Sequence, residues 1–414
     1  MHTEERAGDS ARGSSLPRIP RSREDDHAPS LVAERLGLCE SAAGRRLPHL
    51  AGRPVPVSAA RGKVENMVGW AQVPLGIAGP LVVHGAGGRR EVYVPMATTE
   101  GALVASYSRG MALLAAGGGA RARVLAEGLT QNPVLVYADA AQAAAAAATA
   151  RELLPELRRI TAGTTSHGAL EGVRAQVLGR RLVVSFAFTT GDAIGINMAA
   201  RAADLCSAEL ERRTGASARY VHGQDVEKRA NARALVEGRG RSAVADVVVP
   251  RGELQRLARV EPEALVAIQR TYAVGFAQLG TQNWLVQAAN GLAAVMLACG
   301  QDVAYVTECA TGLLDFDVTG DGDLYASVTL PSLLVGTVGG GSGQGTAAEC
   351  LDLLGCRGGG GAGAFAEILA ATVLAGDLSL MAAFCAHEFV AAHERLGRNR
   401  PEPDRPEPAP KAGS

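Results

Sequence analysis

The arrangement of residues 134–221 restricts the fold of this chain more than any other stretch. A strand-like run is followed by an alanine-rich helical run that opens at Asp139, two alternating runs that meet at LGRR, a second helical run and a closing strand. An aspartate favours the N-cap of a helix, and period-two alternation indicates a β-hairpin. The order β-α-β-β-α-β is typical of a ferredoxin-like domain, so we predict an α+β fold.

Apolar helical segments lie on both sides of this domain, which predicts that it is inserted into a larger, mainly helical domain. Both termini are rich in charge and in Pro, Ser or Gly, which predicts disorder. Gly376 is predicted to interrupt the last helical run. The predicted units are a disordered extension (1–30), the large domain (31–133 and 232–375), the small domain (134–221), a polar loop (222–231), a C-terminal helix (376–399) and a disordered tail (400–414).

The composition excludes several classes of protein. The chain of 414 residues has 41 basic and 42 acidic residues, and only 4 % of its residues are aromatic. Such a chain is a poor match for nucleic-acid binding. Its seven cysteines form no CxxC pair, which is typical of a reducing cytoplasm rather than of a disulfide framework or a zinc site. No signal peptide and no apolar run of about 18 residues is readable, so we expect a cytoplasmic protein without a membrane span or a bound metal.

Four polar residues stand where folding alone would not require them. Glu100 is the only charge in PMATTEGALVAS, Lys228 lies in a polar loop after the small domain, and Asp302 directly follows an apolar helical run; His393 lies on the last helix. Two carboxylates and an ammonium group, if brought together, form a proton-exchanging cluster that also stabilises an oxyanion. An imidazole protonates a thiolate or an alkoxide near neutral pH.

Each of these residues also has a structural interpretation. Glu100 can serve the helix dipole, Asp302 can cap the next turn, and Lys228 and His393 can be solvated surface residues. Sequence alone does not show that the four meet. The junction TTGDAIGINM (189–198) is the candidate dinucleotide site, because a strand ends and a helix begins there with two glycines, which exposes backbone N–H groups to a pyrophosphate.

Eight stretches, in the same order, resemble hydroxymethylglutaryl-CoA reductase across about four fifths of the chain. The matching stretches are ENMVGWAQVPLGIAGPL (65–81), VPMATTEGALVASYSRG (94–110), GGGARARVLAEG (117–128), GDAIGINM (191–198), EGRGRS (237–242), ACGQD (298–302), TLPSLLVGTVGGG (329–341) and LAGDLSLMAA (374–383). The resemblance implies a soluble, class I type of catalytic portion. It also implies a homodimer or higher homo-oligomer with its active site between subunits, and two-step reduction of a CoA thioester to an alcohol by NADPH or NADH.

The resemblance assigns roles to individual residues. Glu100 matches the proton-donating glutamate, Lys228 the lysine that stabilises the oxyanion, and Asp302 the aspartate that tunes this pair. His393 matches the histidine that protonates the departing CoA thiolate. The residues that match the cofactor-binding motif are Asp192, Ala193, Gly195 and Asn197. Asn290 matches an asparagine that lines the active site.

Several positions depart from the family pattern. Gln131 and Thr271 replace an arginine and a lysine, and Arg229 replaces a second lysine, among cations that hold the free carboxylate of the substrate. Since each charge-assisted bond contributes about 1.5–3 kcal/mol, losing two weakens selection for that carboxylate by roughly 10²–10⁴-fold. Ser166 stands where many NADPH-using members have an arginine, so NADH is an alternative to the favoured NADPH.

Three interpretations therefore remain. The leading one is reduction of 3-hydroxy-3-methylglutaryl-CoA to mevalonate. The second is a paralogue that reduces a different acyl thioester. The alternative to a paralogue is that Arg229 and other residues hold the same substrate carboxylate as in the family. The third, a non-catalytic binding protein that uses its ferredoxin-like domain, fits poorly with the presence of all four catalytic residue types.

Overall fold

A computed structural model describes residues 14–22, 24–224 and 226–386. The helices are α1 (Pro29–Ala43), α2 (Leu103–Ala116), α3 (Ala140–Glu152), α4 (Leu154–Ala162), α5 (Ile196–Thr214), α6 (Ala232–Val236), α7 (Arg251–Ala258), α8 (Pro262–Leu279), α9 (Ala288–Ala298), α10 (Val306–Cys309), α11 (Gly345–Leu353) and α12 (Ala362–Cys385). The strands are β1 (Leu75–Gly85), β2 (Gly88–Ala97), β3 (Ala120–Gln131), β4 (Val134–Val136), β5 (Leu170–Leu178), β6 (Arg181–Phe188), β7 (Ala218–Tyr220), β8 (Gly240–Val249), β9 (Leu313–Val318) and β10 (Leu324–Leu333).

The small domain has the predicted topology. Its strands lie in the order β7-β4-β6-β5, and all three pairings are antiparallel. The Asp139 side chain accepts a hydrogen bond from the Gln142 N–H and caps α3 as expected. The single helix predicted after Asp139 is two helices, because Pro155 lacks an N–H and lies in the first turn of α4 instead of continuing α3.

The large domain contains a sheet that the sequence did not reveal. Strands β1, β2, β3, β8, β10 and β9 belong to it, and β3 also pairs with β6 of the small domain. One continuous strand thus connects the two domains. Helix α12 packs against α2, β8, β3 and β10 and forms the centre of the large domain.

Helix α12 corrects one prediction. It runs without interruption through Gly376, which was expected to break it. A Cβ at Gly376 would lie 2.4 Å from Cζ of Tyr107, so this glycine permits close packing of α2 rather than a turn. By length and composition α12 meets the requirement for crossing a bilayer, yet 83 % of its apolar window is buried inside the protein.

The N-terminal segment corrects another prediction. Residues 14–22 and 24–30 were expected to be disordered, but Leu16 and Ile19 pack against a small cluster that contains Tyr93. The Glu91 carboxylate accepts hydrogen bonds from the Ser14 hydroxyl at 2.7 Å and from the Leu16 N–H at 3.0 Å. The remaining disorder predictions, for 1–13 and 400–414, lie outside the described residues.

Candidate active site

Glu100 lies in the exposed loop between β2 and α2. Its N–H donates to the Thr98 hydroxyl, and its carboxylate accepts a hydrogen bond from the Asn290 side chain at 2.8 Å. Ala102, which follows Gly101, has a φ of 69° and is the N-cap of α2. Because Asn290 lies in the first turn of α9, the pair joins the beginning of α9 to the entrance of α2.

Lys228 and Asp302 form an ion pair. The distance between Lys228 Nζ and Asp302 Oδ2 is 2.9 Å, and both side chains are somewhat less than half exposed. The other oxygen of Asp302 accepts the Ala304 N–H and caps a short 3-10 turn. Asp302 therefore serves both as the predicted cap and as the predicted partner of Lys228. Lys228 Nζ also lies 5.0 Å from the ring centroid of Tyr305, within cation–π range.

A buried ionic network holds the backbone of Lys228. Its N–H donates to Glu308, which is fully buried and paired with Arg239 at 3.0 Å. Arg239 also pairs with Glu227 at 2.9 Å, and the Tyr305 hydroxyl donates to the second oxygen of Glu227. Burial raises the pKa of the Glu308 carboxyl, and the neighbouring Arg239 opposes this rise. The network fixes the loop that presents Lys228, which has a φ of 57°.

The two pairs lie at opposite ends of α9. Asn290 is in the first turn of α9, and Asp302 lies shortly beyond its last residue, Ala298. At 1.5 Å per residue, the helix from Asn290 to Ala298 spans about 12 Å. Among the described residues, no hydrogen bond or ion pair joins Glu100 to Lys228 or to Asp302. One chain therefore presents two half-sites, Glu100–Asn290 and Lys228–Asp302.

The predicted cofactor junction forms the start of α5. Gly195 is its N-cap with a φ of 80°, no side chain caps the helix, and Asn197 is exposed in the first turn. A Cβ at Gly195 would lie 2.4 Å from Cγ2 of Thr190, while the Ala193 carbonyl accepts the hydroxyl of that threonine. A helix of 19 residues with uncapped N–H groups at its positive end fits the pyrophosphate of a nicotinamide dinucleotide.

Asp192 is held at the junction between the domains. Its carboxylate accepts hydrogen bonds from the N–H groups of Gly360 and Ala362, at 2.7 and 3.0 Å, where α12 begins. Its carbonyl accepts the Thr337 N–H. The carboxylate thus joins the small domain to the start of α12.

Ser166 is exposed in the loop between α4 and β5. This loop lies next to the start of α5, since a Cβ at Gly168 would be 2.7 Å from the Met198 side chain. The Ala169 N–H and the Thr189 hydroxyl also form a hydrogen bond. Ser166 therefore lies on the part of the small domain that adjoins the candidate dinucleotide site.

Two of the residues predicted to hold the substrate carboxylate, Gln131 and Arg229, both contact Glu227, whereas Thr271 lies on α8. Gln131 is buried and its amide donates to Glu227 at 3.0 Å, next to the Lys228 loop. Arg229 lies in that loop and donates to the Glu227 carbonyl. Thr271 is exposed on α8, and its hydroxyl donates to the Ala267 carbonyl of the same helix. His393 lies outside the described residues.

Sequence reasoning missed the supporting residues. Arg239 stands within the EGRGRS stretch but was not singled out, and nothing in the sequence relates Glu308 to the Lys228 loop. Asp377 is a buried acid in the apolar run of α12, where burial raises its pKa to about 7. The signal that identified Glu100, a single acid in an apolar stretch, also applies to Asp377.

Comparisons with known proteins place the chain in a family. The model of the hydroxymethylglutaryl-coenzyme A reductase family matches residues 31–398. The 3-hydroxy-3-methylglutaryl-coenzyme A reductase of Haloferax volcanii is 42 % identical over 373 residues, covering 88 % of this chain and 92 % of that protein. The enzyme of the same name from Methanothermobacter thermautotrophicus is 38 % identical over 371 residues, covering 89 % and 93 %.

A solved structure shares the fold. The class II 3-hydroxy-3-methylglutaryl-CoA reductase of Streptococcus pneumoniae, bound to NADPH in open conformations, superposes with a TM-score of 0.71 at 21 % identity. The match covers 85 % of this chain and 96 % of that one. The α+β fold is thereby confirmed. The family match, the identity with the archaeal enzymes and this shared fold together show that the chain belongs to the hydroxymethylglutaryl-coenzyme A reductase family.

Proposed function

We propose that this protein reduces 3-hydroxy-3-methylglutaryl-CoA to mevalonate and free CoA at the expense of two NADPH. The C–S bond of the thioester breaks, the sulfur leaves as the CoA thiol, and the carbonyl carbon becomes a primary alcohol after it receives two hydrides and protons. The observation that carries the proposal is the Lys228–Asp302 ion pair, on a backbone held by a buried network, in a chain of this family.

Each polar group has a role in this reaction. Lys228 donates a hydrogen bond to the developing oxyanion, and Asp302 keeps the ammonium group charged and oriented. Glu100, held by Asn290, delivers a proton to the reduced carbonyl oxygen. His393 protonates the departing thiolate. The start of α5 holds the pyrophosphate of the dinucleotide, which supplies the hydride.

Glu100→Gln tests the enzymatic interpretation. The glutamine keeps the size and the contact with Asn290 but carries no exchangeable acidic proton, so reduction of the thioester should fall by about 10²–10⁴-fold. Nicotinamide absorbance measures the rate, and nucleotide binding should be unchanged. Wild-type protein that oxidises no NADPH with any acyl-CoA would contradict the proposal.

The protein acts as a homodimer in this proposal, in a class I arrangement. The two half-sites lie at opposite ends of α9, and a two-fold axis brings Glu100 of one protomer to Lys228 and Asp302 of the other. Mixing refolded Glu100→Gln and Lys228→Ala chains tests this pairing. If sites form between subunits, mixed dimers keep one intact site, and about a quarter of wild-type activity returns on random pairing. Mixtures as inactive as the single variants would refute it.

A second candidate substrate is a thioester without a free carboxylate. The buried Gln131 is neutral and its amide is hydrogen-bonded to Glu227, and Thr271 is also neutral. Of the three positions that hold the substrate carboxylate in the family, only 229 carries a cation here. Turnover of 3-hydroxy-3-methylglutaryl-CoA is compared with that of simple acyl-CoA thioesters of similar length. Saturable turnover of the first alone would exclude this candidate, and Arg229→Gln should then raise its KM.

NADPH is the proposed donor, with NADH as the alternative because Ser166 supplies no positive charge for a 2′-phosphate. The ratio of kcat/KM for the two nucleotides decides between them. Ser166→Arg should raise the ratio in favour of NADPH if the loop reaches that phosphate. We place the protein in the cytoplasm, where a fractionation experiment should find it.

A further inference from the structure

The buried acid Asp377 binds the start of α9. It is completely buried, and its two oxygens accept the N–H groups of Val286 at 3.1 Å and Gln287 at 2.9 Å. These residues immediately precede α9, where backbone N–H groups have no partner within the helix. Asp377 therefore connects α12 to the two residues that lead into α9.

Tyr107 of α2 completes this connection. Its buried ring packs between two glycines. A Cβ on Gly291 would lie 1.9 Å from the tyrosine hydroxyl oxygen, and a Cβ on Gly376 would lie 2.4 Å from the tyrosine Cζ. Its hydroxyl donates to the Gln287 carbonyl at 2.8 Å. The backbone just before α9 thus donates hydrogen bonds to Asp377 of α12 and accepts one from Tyr107 of α2.

Further polar contacts join the same three helices. The Ser106 hydroxyl donates to the Gln287 side chain at 3.2 Å, and Arg109 binds the Ser379 hydroxyl and carbonyl. Ser106 and Arg109 belong to α2, and Ser379 follows Asp377 by two residues on α12. These contacts fix α2, α9 and α12 relative to one another.

These contacts between α2, α9 and α12 lie close to the Glu100–Asn290 pair along both α2 and α9. Glu100 is three residues before α2, and Asn290 is three residues after Gln287, about one helical turn. A shift of α9 relative to α2 therefore moves the amide of Asn290 away from the carboxylate that it orients.

We propose that Asp377 is a positioning residue for the reduction, which acts by holding α9 so that Asn290 orients Glu100. The inference rests on the proposed function. Two acceptor oxygens are needed for two adjacent N–H groups, and an aspartate side chain supplies two whether it is ionised or protonated. An asparagine supplies one oxygen and turns an NH₂ group towards the other N–H, which then loses its partner.

Asp377→Asn tests the proposal in the full-length protein. Since a displacement of about 1 Å at a catalytic group costs about 10²-fold in rate, we expect kcat to fall by roughly 10- to 100-fold. The KM for the acyl-CoA and for NADPH should stay within about twofold, because the half-site of Lys228 and the start of α5 are untouched. A larger primary isotope effect with deuterated NADPH should accompany the loss.

Glu367→Gln is the matched control. Glu367 is the other buried acid of α12, accepts the Ala86 N–H at 2.9 Å, and lies ten residues away, about 15 Å along the helix. It should lower stability without lowering kcat per folded protein. Equal losses of kcat in both variants would refute a positioning role, because the effect would then be a general consequence of disturbing α12.

If Asp377→Asn does not fold, Tyr107→Phe replaces it, since this variant keeps the ring and removes only the donor to Gln287. A smaller loss of kcat at constant KM supports the inference, and unchanged kcat in a folded variant overturns it. Failure of the wild type to reduce any thioester would overturn the proposed function instead. An active wild type with fully active variants would overturn the positioning role alone.

Discussion

Replacing Asp377 by asparagine should change how stability depends on pH. Burial raises the pKa of Asp377 from an ordinary 3.8 to about 7, although the N–H groups of Gln287 and Val286 partly oppose the rise. A group whose pKa is higher in the folded state favours folding while it is protonated. Its contribution is therefore complete below pH 3.8 and is lost as the pH rises towards 7. At 1.36 kcal/mol per pH unit, the loss is about 4 kcal/mol.

Asparagine is neutral throughout this range, so residue 377 of the variant does not lower the stability as the pH rises. We expect it to be less stable than the wild type near pH 4 by about 1–3 kcal/mol, because one buried N–H loses its acceptor. The unfolding free energy of the wild type minus that of the variant should then fall by about 4 kcal/mol between pH 4 and pH 8. Tyr107 does not contribute, because burial holds its pKa well above the usual range and keeps it neutral.

Urea unfolding at a fixed protein concentration measures this difference at each pH. Fixed concentration matters because dissociation of a dimer adds a concentration term to the stability. A difference that stays constant from pH 4 to pH 8, or that grows as the pH rises, would refute the burial argument for Asp377.

Three further predictions follow from other contacts. Burial favours a higher pKa for Glu91, but hydrogen bonds from the N-terminal segment lower the pKa to about 2. The charged carboxylate therefore contributes about 3 kcal/mol of stability above pH 4.5, and this contribution is lost as the pH falls towards 2. Glu91→Gln should remove this contribution, as measured by urea unfolding at each pH. Gly376→Ala should destabilise by about 1–3 kcal/mol through collision with Tyr107, whereas Gly275→Ala, with open space on α8, should stabilise by about 0.4–1 kcal/mol in thermal unfolding. Glu308→Gln should weaken unfolding stability by about 3–5 kcal/mol and lower kcat, since it uncouples the Lys228 backbone from a buried ion pair.

The small domain was predictable because its signals are local. Asp139 caps a helix, and the hairpin of β5 and β6 alternates along each strand. The strands of the large sheet gave weaker signals. In β8 alternate residues are buried, yet Ala243 points inwards and the neighbouring Val244 is also apolar, so hydropathy hardly alternates. Such a strand is recognised only from its pairing with β3 and β10.

Contacts between distant residues explain the errors. The composition of residues 14–30 predicts disorder, but the carboxylate of Glu91, some 76 residues away, binds Ser14 and Leu16. Gly376 is a helix breaker by propensity, but the ring of Tyr107 requires a glycine there and the surrounding core keeps the helix intact. Propensity describes the isolated segment, and tertiary contacts decide both cases.

The candidate site shows the same division. Glu100, Lys228 and Asp302 are candidates because each is a polar residue in an unusual local context, and the structure pairs Lys228 with Asp302. Their support was not found, because Arg239 and Glu308 are 69 residues apart and only the fold brings them together. Sequence identifies groups that can perform chemistry, but it does not reveal the buried charges that orient them.

Helix α9 is the element that relates these observations. Its body is apolar and buried, while its first turn carries Asn290 and its end leads to Asp302. Residues from α2 and α12 fix its start, and the buried pair behind Lys228 lies beyond its end. A change at Asp377 therefore acts on the start of α9 and on the Glu100–Asn290 pair, while the Lys228–Asp302 pair keeps its own support from Glu308. In a two-fold dimer each complete site would contain the start of one α9 and the end of the other, so disturbing α9 should affect both active sites together.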